Sequence, residues 1–406
     1  MDNLDMQEEH AAATPPEPGQ QPQRRHELDW LRVLVILNLV PWHVAWLMTS
    51  VPGFSRIADE GLGVTLLRYY TGFSLRWQIP LLFFIAGASA CFSLSVRSPG
   101  AFVRERAGRL FIPLMFFMLA CYPALLYFWP GVCDEKSLWD YLVRFWPACL
   151  STMHHSRMPG RAPMPGWAHL WFVAYLLLFS LISLPLLVYL GRQSQSGWAA
   201  RCIDFLTKPG AILLPAVPLM VINATLGPKW PMAELNLYDD WTYFCYDLAV
   251  FLYGYIICLH DKLWQVIDRH LRISLPAAIV CTAVVLVMRF EAPTFSRPAY
   301  TARYMLYSAL LGLHTWCWIL ALVALARRFL SRRNRFLKYF SRASYPFYIL
   351  HFVLMVVIGY YVVQWRLGIA AEFAVLSALT FAATLASYEL LVKRTRVTRF
   401  LFGVKA

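Results

Sequence analysis

The chain has 406 residues, 59% of them hydrophobic and only 15% charged, with a mean hydropathy of +0.50 and a formal net charge of +14. A soluble domain carries about 25% charged residues, so the composition excludes a soluble globular protein and indicates an all-α polytopic membrane protein. The positive excess is not a nucleic-acid footprint, because Lys and Arg crowd into alternate loops between apolar runs, as the positive-inside rule predicts.

Residues 1–23 are acidic and rich in Ala, Pro and Gln. They lack the basic start and apolar centre of a signal peptide and read as a disordered tail. A membrane domain covering 24–406 follows. Within it we expect ten spans of roughly 20 residues, each long enough to cross hydrocarbon as a helix: 31–51, 77–96, 110–129, 168–190, 210–226, 242–259, 273–288, 305–326, 345–365 and 368–392. The fifth is short and holds Pro215, Pro218 and Asn223. Residues 56–76 carry Leu62, Leu66, Leu67, Tyr69 and Tyr70 beside Arg68 and suggest a helix lying on the outer interface.

Ten spans with the N-terminus inside place both termini in the cytoplasm. The inner segments then hold Arg97, Arg104, Arg106 and Arg109, the dense run from Arg327 to Arg342, and the tail from Lys393 to Lys405. Inner Lys and Arg outnumber outer ones about twofold. Most acids fall outside, among them Asp59, Glu60, Asp134, Glu135, Asp239 and Asp240. The largest outer connection, 131–167, carries His154, His155, Trp146 and Trp167 and is placed to cover a site mouth. No internal repeat of the transporter kind is visible. Nine cysteines are scattered singly, with no C-x-x-C and no histidine cluster at ligand spacing, which indicates neither a metal nor a redox centre. Cys133 and Cys149 share one outer loop and are able to pair in an oxidising compartment.

The polar residues inside apolar runs carry the chemistry. The first span holds Asp29 and Arg32 at one end and His43 well inside. Eleven steps of about 100° return Arg32 and His43 to nearly the same helix face, roughly 16 Å apart along the axis. An ionisable group at that depth is costly unless paired or wet and reads as functional. Pro41 is placed to free a carbonyl nearby, and a neutral imidazole there suits a general base for a hydroxyl acceptor. Arg106 and Arg109, three apart at the inner mouth of the third span, suit a phosphate clamp for a nucleotide-bearing cofactor such as coenzyme A. Weaker candidates are His169, Asp247, His314, His351 and Glu389, each alone more often a packing residue than a catalyst.

Six stretches in order resemble the acyltransferase family 3 membrane proteins. They are Leu28-Asp-Trp-Leu-Arg32 with His43 eleven residues on, Arg76-Trp-Gln-Ile-Pro-Leu-Leu-Phe-Phe-Ile-Ala-Gly87, and Arg106-Ala-Gly-Arg109-Leu-Phe-Ile-Pro113. His169-Leu-Trp-Phe172, Ser344-Tyr-Pro-Phe-Tyr-Ile-Leu-His351 and Ser387-Tyr-Glu389 complete the set. Within the family the chain is most similar to the branch of periplasmic glucan succinyltransferases (glucan biosynthesis protein C). It departs from the family at Ile85-Ala86-Gly87, where Ser often precedes the Gly, and we expect no soluble esterase-like domain after the last span, unlike in some family members.

The resemblance implies an acyltransferase of the bacterial inner membrane, with ten core helices, that moves an acetyl or succinyl group from cytosolic acyl-CoA to a hydroxyl of an extracytoplasmic glycan. It implies His43 as the essential histidine with Arg32 as its partner. Arg106, Arg109 and His351 fall in the donor-binding region, and His169, Trp171 and Arg76 on the acceptor side. No metal is implied. The bilayer, the acyl-CoA and a glycan or other hydroxyl compound are the expected partners, without nucleic acid; a homodimer is compatible with the sequence. The competing readings are a secondary transporter or flippase of a glycan or glycolipid, and a non-catalytic membrane scaffold.

Overall fold

The computed structural model describes residues 25–54, 61–130, 137–152, 167–194, 196–231, 237 and 239–404, and among these every regular element is helical. The expected tail, Cys133 of the Cys133–Cys149 pair and His154 lie outside the described residues. Helices long and apolar enough to cross a membrane are α1 (His26–Ser50), α2 (Leu62–Val96), α3 (Pro99–Tyr127) and, after the amphipathic α4 (Leu138–Thr152), two bent pairs. The pairs are α5 (Ala168–Ile182) with α6 (Leu184–Gln193), and α7 (Gly197–Leu206) with α8 (Ala211–Leu226). Then come α9 (Trp241–Leu259), α10 (Asp261–Phe290), α11 (Ala302–Phe329), α12 (Arg335–Trp365) and α13 (Ile369–Val392). Among the described residues eight helices qualify alone, and up to ten spans result if each bent pair is one. A short α14 (Arg396–Leu401) closes the described chain.

Three expectations change in detail. The interfacial helix expected over 56–76 is instead the first four turns of α2, which runs unbroken for 35 residues; an amphipathic stretch beside an apolar one continues the helix when nothing breaks it. The fourth span bends by 56° at Ser183, just ahead of Pro185. The fifth, expected over 210–226, coincides with α8 but passes as a span only together with α7, which it meets at 102°, where Pro209 precedes Gly210 with φ +79, a left-handed conformation that glycine adopts without a Cβ clash.

The bundle packs through small residues, as membrane helices do. At the crossing of α2 and α9 the backbones nearly touch. A Cβ on Gly87 would lie 1.9 Å from the carbonyl oxygen of Phe251, and one on Gly254 would lie 2.0 Å from that of Phe84. At one end of the bundle Arg25 reaches Asp261 (2.7 Å) and Arg327 reaches both Asp268 (2.9 Å) and Glu27 (3.4 Å), joining α1, α10 and α11. Arg25 also lies over the Trp264 ring at 4.4 Å. This is the end that carries the Arg and Lys clusters, called here the basic end.

α3 widens twice, into π-turns at Ala107–Phe111 and Phe117–Cys121. Each precedes a proline, Pro113 and Pro123, whose missing N–H and ring bulk disfavour an undistorted α-turn. Beyond α14, Gly403 (φ +63) lies against the Arg109 carbonyl and the Tyr345 ring, where a Cβ would come within 2.9 Å and 2.8 Å. The end of the chain is thereby held against the first π-turn.

Candidate active site

Three histidines from three helices meet in the core. His43 of α1, His169 at the start of α5 and His351 of α12 have ring centroids 6.3, 5.1 and 5.1 Å apart for the pairs 43–169, 43–351 and 169–351. All three are buried. Phe352 stacks on His169 at 4.8 Å and stands edge-on to His43 at 5.0 Å, and Phe117 stands edge-on to His169 at 5.2 Å.

The hydrogen bonds decide the tautomers. His351 Nδ1 faces the carbonyls of Tyr348 (2.8 Å) and Phe347 (3.2 Å). A carbonyl only accepts, so this nitrogen carries the hydrogen. His43 Nδ1 lies 2.9 Å from the carbonyl of Leu39 and 3.2 Å from His351 Nε2. By the same rule His43 Nδ1 donates, and His351 Nε2 is the bare nitrogen that accepts. His43 Nε2 is then left with its lone pair available, the arrangement a general base requires. His169 Nε2 donates to the Tyr348 carbonyl (2.9 Å), and the Tyr348 hydroxyl donates to the His169 carbonyl. The backbone of Tyr348 therefore holds two of the three rings. Because these nitrogens face main-chain carbonyls rather than one point, the cluster is not arranged as a metal cage; among the described residues no group of three His, Cys, Asp or Glu is.

A cavity of about 1250 Å³ opens at the basic end and runs into the bundle. Ten Arg and Lys side chains line it against two carboxylates, those of Asp29 and Glu105. Both carboxylates are engaged: Asp29 with Arg32 (2.8 Å), Glu105 with Arg97 (2.6 Å) and Arg109 (3.4 Å). The surplus of cations gives the cavity a positive field that suits an anion. Its inner wall includes Ile36, Phe172 and Tyr348, and the Tyr348 ring stands 5.3 Å from His169 and 5.9 Å from His351. On the opposite side of His43, Trp46, Trp129 and Phe352 form a triangle with all centroid pairs 6.4 Å apart.

The structure thus joins some expected site residues and separates others. Arg32, Arg106 and Arg109 all line the cavity, although a π-turn begins between the last two and replaces the simple helical face expected for them. Arg32 sits at the cavity mouth with Asp29, about 16 Å below His43 by helix rise. It is not the histidine's direct partner; His351 is. His351, placed with the donor site by sequence, is instead hydrogen-bonded to His43. Trp171, expected on an open outer face, is 7% exposed and packed 5.4 Å from both Tyr175 and Tyr243, which leaves no free ring face for a sugar. Arg76 sits among Tyr243, Tyr246, Tyr304 and Tyr307. His314 contacts Thr282 (3.1 Å), and Glu389 accepts from Tyr339 (2.8 Å) and pairs with Lys393 (2.9 Å). The carboxylate of Asp247 is fully buried.

Sequence reasoning missed the cavity cations Arg335, Lys338, Arg342 and Arg399, because a basic run beside a span is read as a topology signal. It also missed Tyr348, which the Ser344–His351 stretch contains, and Trp129, for which the sequence offered no signal.

A family model described as an acyltransferase domain (acyltransferase 3) matches residues 25–391. No curated protein and no solved structure matches the chain. The matched segment takes in the histidine cluster and most of the cavity wall, and on that extent the chain belongs to the acyltransferase 3 family and is a multi-pass membrane acyltransferase.

Proposed function

We propose that the protein transfers an acyl group, acetyl or succinyl, from cytosolic acyl-CoA to a hydroxyl of a glycan on the other side of the bacterial inner membrane. The observation that carries this reading is the cation-lined cavity that enters from the basic end and reaches Tyr348, in contact with His169 and His351. Acyl-CoA is polyanionic and does not cross a bilayer, and the positive-inside rule puts the basic end in the cytoplasm. From phosphate to sulfur the pantetheine arm has about twelve backbone bonds, equivalent to four extended residues or about 14 Å. That nearly spans the roughly 16 Å between the levels of Arg32 and His43.

In the reaction, His43 Nε2 takes the proton of the attacking hydroxyl as its oxygen bonds to the thioester carbon. The tetrahedral oxyanion collapses, the C–S bond breaks, and the thiolate of coenzyme A recovers the proton from His43. Nδ1–H of His43, shared between Leu39 O and His351 Nε2, keeps the ring oriented and spreads the transient positive charge. The acceptor approaches past Trp46, Trp129 and Phe352, whose faces suit the C–H surface of a sugar ring.

Sidedness tests the reading. Purified protein is sealed into vesicles of known orientation, with labelled acyl-CoA on one face and acceptor glycan on the other. Transfer is expected only with donor on the face bearing Arg109. Transfer that needs both substrates on that face overturns the trans-membrane route, and movement of glycan without acylation favours a flippase.

A further inference from the structure

A second, smaller cavity of about 100 Å³ lies beside the large one, between the start of α1 and the start of α12. It is lined by His26, Asp29, Arg333, Leu337, Lys338, Ser341 and Arg342, and four of these (Asp29, Lys338, Ser341 and Arg342) also line the main cavity. The two spaces therefore share one wall. Three cations face the small one; the single carboxylate, Asp29, is already paired with Arg32 at 2.8 Å. Arg333, Lys338 and Arg342 enter no ion pair among the described residues. The Ser341 hydroxyl, buried and belonging to both walls, has no hydrogen-bond partner among the described residues.

The site is built rather than incidental. The loop that carries Arg333 is pinned by the Trp30 indole N–H donating to the Arg332 carbonyl (3.0 Å) and by the ring of Trp30 stacked on Phe336 at 5.6 Å. The Asn334 side chain caps α12 by accepting from Leu337 N (2.8 Å). Two forked guanidinium groups, one ammonium and one hydroxyl around a space of this size match the terminal oxygens of a phosphate monoester dianion.

We propose that the small cavity is the subsite for the 3′-phosphate on the ribose of coenzyme A, and that it makes the enzyme selective for coenzyme A over donors that lack this monoester. The inference rests on the acyl-CoA reading above. The pyrophosphate and pantetheine arm then occupy the main cavity, and the shared wall of Lys338, Ser341 and Arg342 separates the two phosphate positions. Charge-assisted contacts of this kind discriminate about 10- to 100-fold.

The test is titration calorimetry of the full-length protein in detergent with coenzyme A and with dephospho-coenzyme A, which differ only in that phosphate. Wild-type protein is expected to bind coenzyme A about 10- to 100-fold more tightly. The variant R333Q, altered at an exposed side chain that lines the small cavity alone, should lose that preference by weakening for coenzyme A alone. R399Q, altered only in the main cavity, should weaken both ligands by the same factor. Equal wild-type affinities, or an R333Q variant that weakens both ligands equally, overturn the subsite and leave the donor reading standing. No binding of either ligand by folded protein overturns the donor reading as well.

Discussion

His351 Nε2 lies 3.2 Å from His43 Nδ1, a contact between residues 308 positions apart. Since His351 Nδ1 is committed to main-chain carbonyls, the contact makes His351 an acceptor toward His43 and directs the free lone pair of His43 away from it. The proposed assignment of His43 as base draws on this geometry and is testable. His43→Ala should insert normally and elute as a single species, yet lose about 10²–10⁴-fold in rate. Transfer by purified His43→Ala protein at near the parental rate would show the assignment to be wrong.

In the proposed mechanism His351 acts through His43 rather than on the substrate, so its substitution should lower kcat while leaving KM for donor and acceptor nearly unchanged. His351→Gln keeps an acceptor oxygen within reach of His43 Nδ1 and should recover part of the activity; His351→Leu should recover none. A purely structural role would instead make Gln, polar in a buried site, no better than Leu.

Changing Arg106 and Arg109 together to Ala should raise KM for acyl-CoA more than KM for the acceptor, and flatten its dependence on ionic strength. Lys at both positions should rescue only partly, because an ammonium lacks the bidentate fork. Initial rates over a matrix of both substrates read this directly. Equal effects on the two substrates would assign these residues to folding or topology instead.

The Gly87–Gly254 crossing predicts a stability effect far from the chemistry. A Cβ at either place would meet a main-chain carbonyl at about 2 Å, so α2 and α9 must separate to admit it. Gly87→Val and Gly254→Val should each remove most of the monodisperse protein in detergent size-exclusion chromatography. Gly100→Val, where nothing lies within 4 Å, should leave the profile unchanged.

The fold class was written in composition. Hydrocarbon offers no hydrogen bonds, so long apolar runs have to be helices, and their number follows from counting them. Gly87 likewise stood out in sequence, though not the Phe251 carbonyl it had to avoid. What sequence could not reach was anything set by angle or by meeting across the bundle. The 102° turn at Gly210 depends on a left-handed φ, which hydropathy does not register. The small cavity depends on Arg333, Lys338 and Arg342 facing α1, while a count of basic residues reports only which side of the membrane they occupy. His43 was singled out correctly as a buried ionisable group, and Arg32 was taken as its partner on the family resemblance, with helix periodicity placing both on one face. The partner it has is His351, from a helix more than 300 residues later, and only packing in three dimensions decides such a pair.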